Sequence, residues 1–293
     1  MKTVTPKKVN KIKKSSLARR NIQKFASNKL AMLGLIIVSI FVLCSIFAPI
    51  LTPYDPSYVN PADRLKPASL EHPLGTDNAG RDTLARILYG GRISIVVGLT
   101  SALGAALIGC VLGCIAGYYG GKIDSVIIYL CEVMTTFPQI MLILILVGLS
   151  GRSLGNLVLI FCFTGWMSTA RLVRSKVLSL KTEPFIEFYR TNGVSSTSIM
   201  FKHILPNTLG PVIVSITMQT AGFVLSEAAL SFLGMGVPNA IPTWGNVINA
   251  ARSFTIFQNH PILWIAPGIV ISLFVLGVNF FGDGLRDVFD ATQ

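Results

Sequence analysis

Charge drops out of this chain in six long stretches. No Asp, Glu, Lys or Arg occurs at positions 30–54, 93–121, 133–151, 153–170, 203–226 or 253–282. A helix rises 1.5 Å per residue, so the ~30 Å hydrocarbon layer of a bilayer is crossed by roughly 20 apolar residues. Each stretch is near or above that length, and the pattern predicts an all-α integral membrane protein with six transmembrane helices. The first stretch shows the energetics. Thirteen Leu, Ile, Val or Phe residues lie between Ala31 and Leu51. At about 0.3–0.6 kcal/mol each they favour insertion by at most about 4–8 kcal/mol. A cleavable signal has a shorter apolar region of ~7–15 residues and an A-x-A-like site, which is missing here. The run reads as a retained first helix, 30–52.

Finer patterns sit on this frame. In the second stretch Ser101, Ala105, Gly109, Gly113 and Gly117 recur every fourth residue, and Gly121 continues the series. In lipid such a face lets another helix approach closely, so this helix is central, either lining a pathway or packed statically. Phe137-Pro138 predicts a kink in the third stretch, because proline removes a backbone hydrogen bond. Glu132 just before it is either a relay within the membrane or an interfacial carboxylate near Asp124. Positions 53–92 form an outside loop, proline-rich and irregular, in which "RDTLARILYGGR" reads as a short amphipathic helix. The other five helices occupy 93–284, with a polar loop at 176–207 and a tail at 285–293. Trp244 and Trp264 read as interfacial anchors.

Composition removes other classes. The chain is 52% hydrophobic and 13% charged, against roughly 25% charged in soluble domains. Its net charge of +12 reflects ten Lys and Arg without an acid in the arm 1–29, which is an orientation signal rather than a nucleic-acid surface. A cytoplasmic amino terminus puts 18 Lys and Arg inside and 7 outside, so both termini are expected in the cytoplasm; contact of the arm with anionic lipid stays open. Cys44, Cys110, Cys114, Cys131 and Cys162 are odd in number and lie in or beside apolar runs, so neither a disulfide nor a metal site is expected. His72, His203 and His260 are scattered, and neither H-E-x-x-H nor G-x-S-x-G occurs. "AGYYGGKI" is no phosphate loop, with Ala116 at the first glycine position and Ile123 after Lys122. No catalytic residue and no bound cofactor are expected, so energy from ATP must come through another chain. An ion-coupled carrier would bury charges in its helices, for which only Glu132 and Glu227 are candidates. The sequence describes a passive scaffold around a pathway.

The wettest long stretch in the second half is "EFYRTNGVSSTSIMFKHILPN", 187–207. Thr182 can cap a helix with Glu183 and Pro184 in its first turn, and Asn192-Gly193 is a stop signal. Phe185, Ile186, Phe188 and Tyr189 share one arc, with Glu187 and Arg190 opposite. Ser195 or Ser196 can cap a second short helix running to Pro206. The pair would lie along the membrane face with one side free to dock a partner.

Glu187, Gly193 and the ending His203-Ile204-Leu205-Pro206-Asn207 resemble the "EAA" loop of permease subunits in ATP-binding-cassette importers. Phe188 and Tyr189 stand where that family has two alanines. "NKLAMLGLIIVSIFVLCSIFAPILTPYDP" is similar to the first helix and loop of the C-type permease of oligopeptide, dipeptide and nickel importers. "HPLGTDNAGRDTLARILYGGRISIVVG" resembles its G-T-D-x-x-G-R-D segment through Gly75, Thr76, Asp77, Gly80, Arg81 and Asp82. "ALSFLGMGVPNAIPTWGNVI" and "WIAPGIVISLFVLGVNFFGDGLRDVFD" look like its later motifs. The resemblance covers nearly the whole chain. It implies a type I ABC importer permease in the cell membrane, pairing with a homologous B-type permease to import oligopeptides or dipeptides; nickel or another metal chelate is the alternative cargo. Two ATPase subunits, using ATP and Mg, would bind the cytoplasmic loop, and an extracytoplasmic solute-binding protein would deliver the solute. Glu187 would then meet a basic partner group, or merely bond Arg190. "GTDNAGRD" would face a partner, or form a turn held by Asp77 and Asp82 with Arg81. An ion-coupled transporter is the remoter alternative.

Overall fold

The computed structural model describes residues 15–290; the arm up to Lys14, with six of the ten basic residues of 1–29, and the last three residues lie outside the described part. Every regular element among the described residues is helical, apart from an isolated bridge between Thr76 and Asp82. A short helix α1 (Ser15–Ser27) leads into α2 (Lys29–Ile46), whose start is capped by Asn28 accepting the amides of Leu30 and Ala31, each at 3.1 Å. One turn, α3 (Ala48–Leu51), follows with Pro49 in its first turn, where the absent amide costs nothing.

Among the described residues five helices are long and apolar enough to cross a membrane, and counting one bent pair as a single span gives six. The central one is α4 (Thr83–Tyr119), 37 residues and about 56 Å long at the α-helical rise. Its small-residue face packs along α7 (Leu154–Leu180). A Cβ on Gly109 would stand 2.7 Å from the Trp166 carbonyl oxygen, and one on Gly113 2.5 Å from that of Ala170. Gly117 meets Val177 in the same way, and Ser101 and Ala105 are fully buried. Of the two readings of the stripe, the structure shows helix-to-helix packing. Gly121 leaves the series: it starts the next helix at φ +54°, with nothing near its Cβ position.

The proline in the third charge-free stretch breaks the crossing rather than kinking it. Helices α5 (Gly121–Thr136) and α6 (Gln139–Ser150) meet at 90°. Phe137, at φ −87° and ψ 139°, takes the extended conformation forced on a residue before proline. The bent pair spans 121–150, starting before the expected run 133–151. After α7 come α8 (Pro184–Thr191), a single turn α9 (Ser196–Ser198), a π-helical segment (Ile199–Ile204) and α10 (Leu205–Phe232). Pro206 does not end the second loop helix as expected. It enters the first turn of α10, and the widened π turn just before it absorbs the ring that would otherwise strike the preceding carbonyls.

Other boundaries move too. The loop expected over 53–92 ends at Asp82, because "RDTLARILYGGR" is the start of α4, with Thr83, Ala85, Arg86, Ile87, Gly90 and Gly91 buried instead of a separate amphipathic helix. The last run divides into α12 (Phe254–Asn259) and α13 (Ile262–Asp290), so the final crossing starts later than Ser253 and carries the expected tail as helix to Asp290. Between α10 and α12, α11 (Trp244–Asn249) plunges into the bundle. Trp244 is buried against Phe274 and donates its ring N–H to the Ile87 carbonyl at 3.0 Å, so it is a core wedge and not an interfacial anchor. Helix α2 packs on α13, where Gly34 approaches the Gly277 carbonyl, while Leu33, Ile36, Ile40 and Leu43 face outward as a lipid-facing surface does.

Candidate functional site

Three assemblies bring the candidate residues together. At the end of the bundle where α4 begins, the G-T-D-x-x-G-R-D segment folds on itself. Asp77 accepts the amides of Ala79 and Arg81 at 2.8 and 3.0 Å and the Arg81 Nε–H at 2.8 Å. Gly75 and Gly80 take φ of +68° and +76°, and a Cβ on Gly80 would collide with the Asn60 carbonyl. Thr76 accepts the Lys66 amide and donates to the Asp63 carbonyl. Asp82 caps α4 through the Ala85 amide at 2.6 Å and holds His72 at 2.9 Å; it does not meet Arg81. Thr76, Asp77 and Asp82 are buried, so the segment points into its own chain as a turn.

Arg86, which sequence reasoning left in an amphipathic helix, is the hub of this assembly. Fully buried, it donates to the Pro56 carbonyl at 3.0 Å and the Asn239 carbonyl at 3.2 Å, with Asp77 3.8 Å away. Arg81 also reaches the Asn239 carbonyl, at 3.1 Å. The loop 52–82 and the loop after α10 are thereby tied to one helix start. Below them Glu227 is fully buried in α10, accepting from the Ser231 and Ser94 hydroxyls at 2.7 and 3.1 Å. Ser94 in turn accepts the Trp244 amide. Enclosed by these hydroxyls and paired with no cation among the described residues, Glu227 ties α10 to α4. Glu132 is exposed on α5.

The opposite end holds the polar loop. Its first helix starts at Pro184 with Glu183 in the cap position, and Thr182 donates its hydroxyl to the Ser179 carbonyl instead of capping. Gly193 adopts φ +74°, and Ser195 caps the next turn through the Ser198 amide at 3.4 Å. The apolar arc of α8 divides in two. Ile186 is fully buried with Ile199 and Ile204 against Val173, Val177, Cys110 and Cys114; burying one such side chain is worth about 1.5–3 kcal/mol. Tyr189 stacks on His203 with ring centres 3.9 Å apart. Phe185 and Phe188 stay exposed, Phe188 by 63%. Arg190 lies over the Tyr118 ring at 5.9 Å, and the alternative of a Glu187–Arg190 bond is not formed: Glu187 is exposed and pairs with no described cation. Leu205 is half-buried, while Pro206 and Asn207 are exposed, and Asn207 donates to the His203 carbonyl at 2.6 Å. Two ties bind this end to the bundle: Arg174 grips Asp124 with two nitrogens, and Lys181 donates to the Gly117 carbonyl at 3.2 Å.

Between the two ends, the 90° break opens a groove of about 270 Å³ walled by α5, α6, α7 and α10. Thr135, Gln139, Thr164, Ser168 and Gln219 line it with hydroxyls and amides. The sequence named none of these as wall residues, although Thr164, Ser168 and Gln219 are polar interruptions of charge-free runs and were the available signal.

Residues 109–292 match the family described as "Binding-protein-dependent transport system inner membrane component", and residues 16–68 match the N-terminal transmembrane domain of oligopeptide transport permease C. The dipeptide transport system permease protein DppC of Alkalihalophilus pseudofirmus is 43% identical over 93% of this chain and 89% of its own length. The oligopeptide transport system permease protein OppC of Bacillus subtilis is 36% identical over 96% and 92%. DppC of Bacillus subtilis is 35% identical over 92% and 83%. With five to six apolar crossings among its described residues and its match across both family regions, the chain belongs to the inner-membrane components of binding-protein-dependent transport systems, as a multi-pass protein of the cytoplasmic membrane.

Proposed function

We propose that this chain is the C-type permease subunit of an ATP-driven peptide importer, forming half of the path for dipeptides or oligopeptides beside a homologous B-type permease. Both termini and the 176–207 loop face the cytoplasm. An extracytoplasmic solute-binding protein delivers cargo at the end where Gly75–Asp82 lies. Two ATPase subunits, which bind the ATP and Mg, engage the loop, and this chain performs no catalysis. The names of the relatives support peptide cargo over nickel or another chelate.

The observation that carries the reading is the construction of the loop. Ile186, Ile199 and Ile204 root it in the bundle, while Glu187 and Phe188 stand exposed on a short helix closed by a left-handed glycine. A rooted lever with a free polar-aromatic face suits transmission of a partner's movement into α4, α7 and α10. Co-purification and uptake test it. The detergent-extracted chain should bring down two ATPase subunits and a second permease, and proteoliposomes should accumulate peptide only with ATP inside the ATPase-facing compartment. Uptake without ATP, or a chain that purifies without ATPase, overturns the reading.

A further inference from the structure

The groove at the α5–α6 break holds an arginine that forms no salt bridge among the described residues, although the Cys131 thiol lies within electrostatic reach of both it and Glu132. Two arginines lie one turn apart on α7. Arg174 is gripped by Asp124. Arg171 lines the groove, is exposed, and pairs with no carboxylate among the described residues. The charge-free part of α7 ends at Ala170, so Arg171 stands at its loop-side edge, exposed and turned toward the groove. Around it are groups that suit a peptide: the hydroxyls of Thr135, Thr164 and Ser168, and the amides of Gln139 and Gln219. Gln219 is held from behind, its amide N–H groups donating to Thr169 and Ser215 at 2.9 and 3.0 Å, and its buried oxygen has no partner among the described residues. Phe223 and Met167 add apolar surface to the same wall.

We propose that Arg171 is a carboxylate subsite of the translocation groove: it takes the α-carboxylate of a passing peptide, and the hydroxyl and amide wall takes its backbone. The subsite rests on the peptide reading above. The chemistry is that of a planar fork of N–H donors meeting two carboxylate oxygens. Lysine at the same place would keep the charge and lose the paired geometry.

The test uses the assembled importer in proteoliposomes, with its binding protein saturated either by trialanine or by trialanine amide, and with the loading of the binding protein measured separately for each. Wild type should import the free acid faster than the amide by roughly ten-fold, the scale of one charge-assisted hydrogen bond. Arg171→Gln should bring the free acid down to the amide rate and leave the amide rate alone; Arg171→Lys should fall between. A purely structural role would lower both peptides together, and that result, or an unmoved ratio, overturns the subsite. If Arg171→Gln does not assemble, Arg171→Lys carries the test, and an unchanged ratio there overturns it equally. Wild type that imports neither peptide overturns the peptide reading itself, whereas wild type that imports the free acid without any effect of Arg171 overturns the subsite alone.

Discussion

Gly193 closes the first helix of the polar loop, and its replacement separates conformation from space. The residue sits at φ +74°, in the left-handed region, and a Cβ built on it meets nothing within 4 Å. Steric collision with neighbours therefore contributes nothing to the cost of a substitution. What remains is the backbone cost of an L-residue in this region, about 1–2 kcal/mol, smaller for Asn and larger for a β-branched side chain. Two hydrogen bonds depend on the turn: the Gly193 amide to the Arg190 carbonyl at 3.2 Å and the Val194 amide to the Tyr189 carbonyl at 3.1 Å. A penalty of 1–2 kcal/mol changes the population of the native turn by roughly 5- to 30-fold. Because Ile186 and Ile199 anchor the two sides separately, the complex should still assemble while the lever loosens. The assay is ATP hydrolysed per peptide imported in proteoliposomes. Gly193→Val should raise that ratio at least five-fold, Gly193→Ala less, and Gly193→Asn should remain near wild type. A Val variant that couples normally, or an Asn variant as impaired as Val, refutes the reasoning.

Three further outcomes follow from the geometry. Gly113→Val would push a side chain into the Ala170 carbonyl, 2.5 Å from the Cβ position. It should lower the thermal midpoint in detergent by an amount corresponding to about 1–3 kcal/mol, whereas Gly155→Ala, with nothing near its Cβ, should leave the midpoint unchanged. Arg86→Met strips the donor from the buried Pro56 carbonyl and leaves that of Asn239 to Arg81 alone; it should destabilise by about 1–3 kcal/mol and increase proteolytic cleavage in loop 52–82 first. Lys66, hydrogen-bonded to Asp63, holds that carboxyl below its ordinary value. Its contribution is present above the unfolded value of about 3.9 and is lost as pH falls through the lower folded value. Cleavage near Asp63 by an acid-tolerant protease should thus stay flat from pH 7 to about 4 and rise only below, and Lys66→Met should raise cleavage at pH 7 and flatten that rise.

Much of this architecture is written in the placement of charge. A charged residue is costly in hydrocarbon wherever it stands, so the six charge-free runs mark the crossings without knowledge of neighbours. The four-residue stripe on α4 and the Asn192-Gly193 stop were legible for a similar reason, since both record local backbone demands. What failed to show were properties set by partners distant in sequence. A proline can bend a helix or break it, and here Phe137 takes the extended backbone and the two helices meet at 90°. Arg86 looked like one polar face of a short helix because its acceptors come from Pro56 and Asn239, on two separate loops. Trp244 had the composition of an interfacial anchor, but its ring finds the Ile87 carbonyl inside the bundle. Thr182 lost the capping position because Pro184 can only begin a helix, which leaves Glu183 as its cap residue.

The two aromatics that replace the family's alanines in the loop are not equivalent. Tyr189 is spent inside the chain: its ring stacks on His203, across the Gly193 turn, and so joins α8 to the π-helical segment. Phe188, one position earlier, meets the Tyr189 ring edge-on at 6.1 Å and leaves its own outer face exposed. Successive residues on a helix stand about 100° apart, so one can serve the interior of the loop while its neighbour serves a partner. Alanine at both positions would leave the two helices joined only through Gly193 and the buried isoleucines. The Tyr189–His203 stack adds a second junction, which makes the loop move as one piece. It also assigns the free face to Phe185, Glu187 and Phe188, a carboxylate between two exposed rings. On the docking role proposed for the loop, the partner's cleft would need an apolar pocket large enough for phenylalanine beside a basic group.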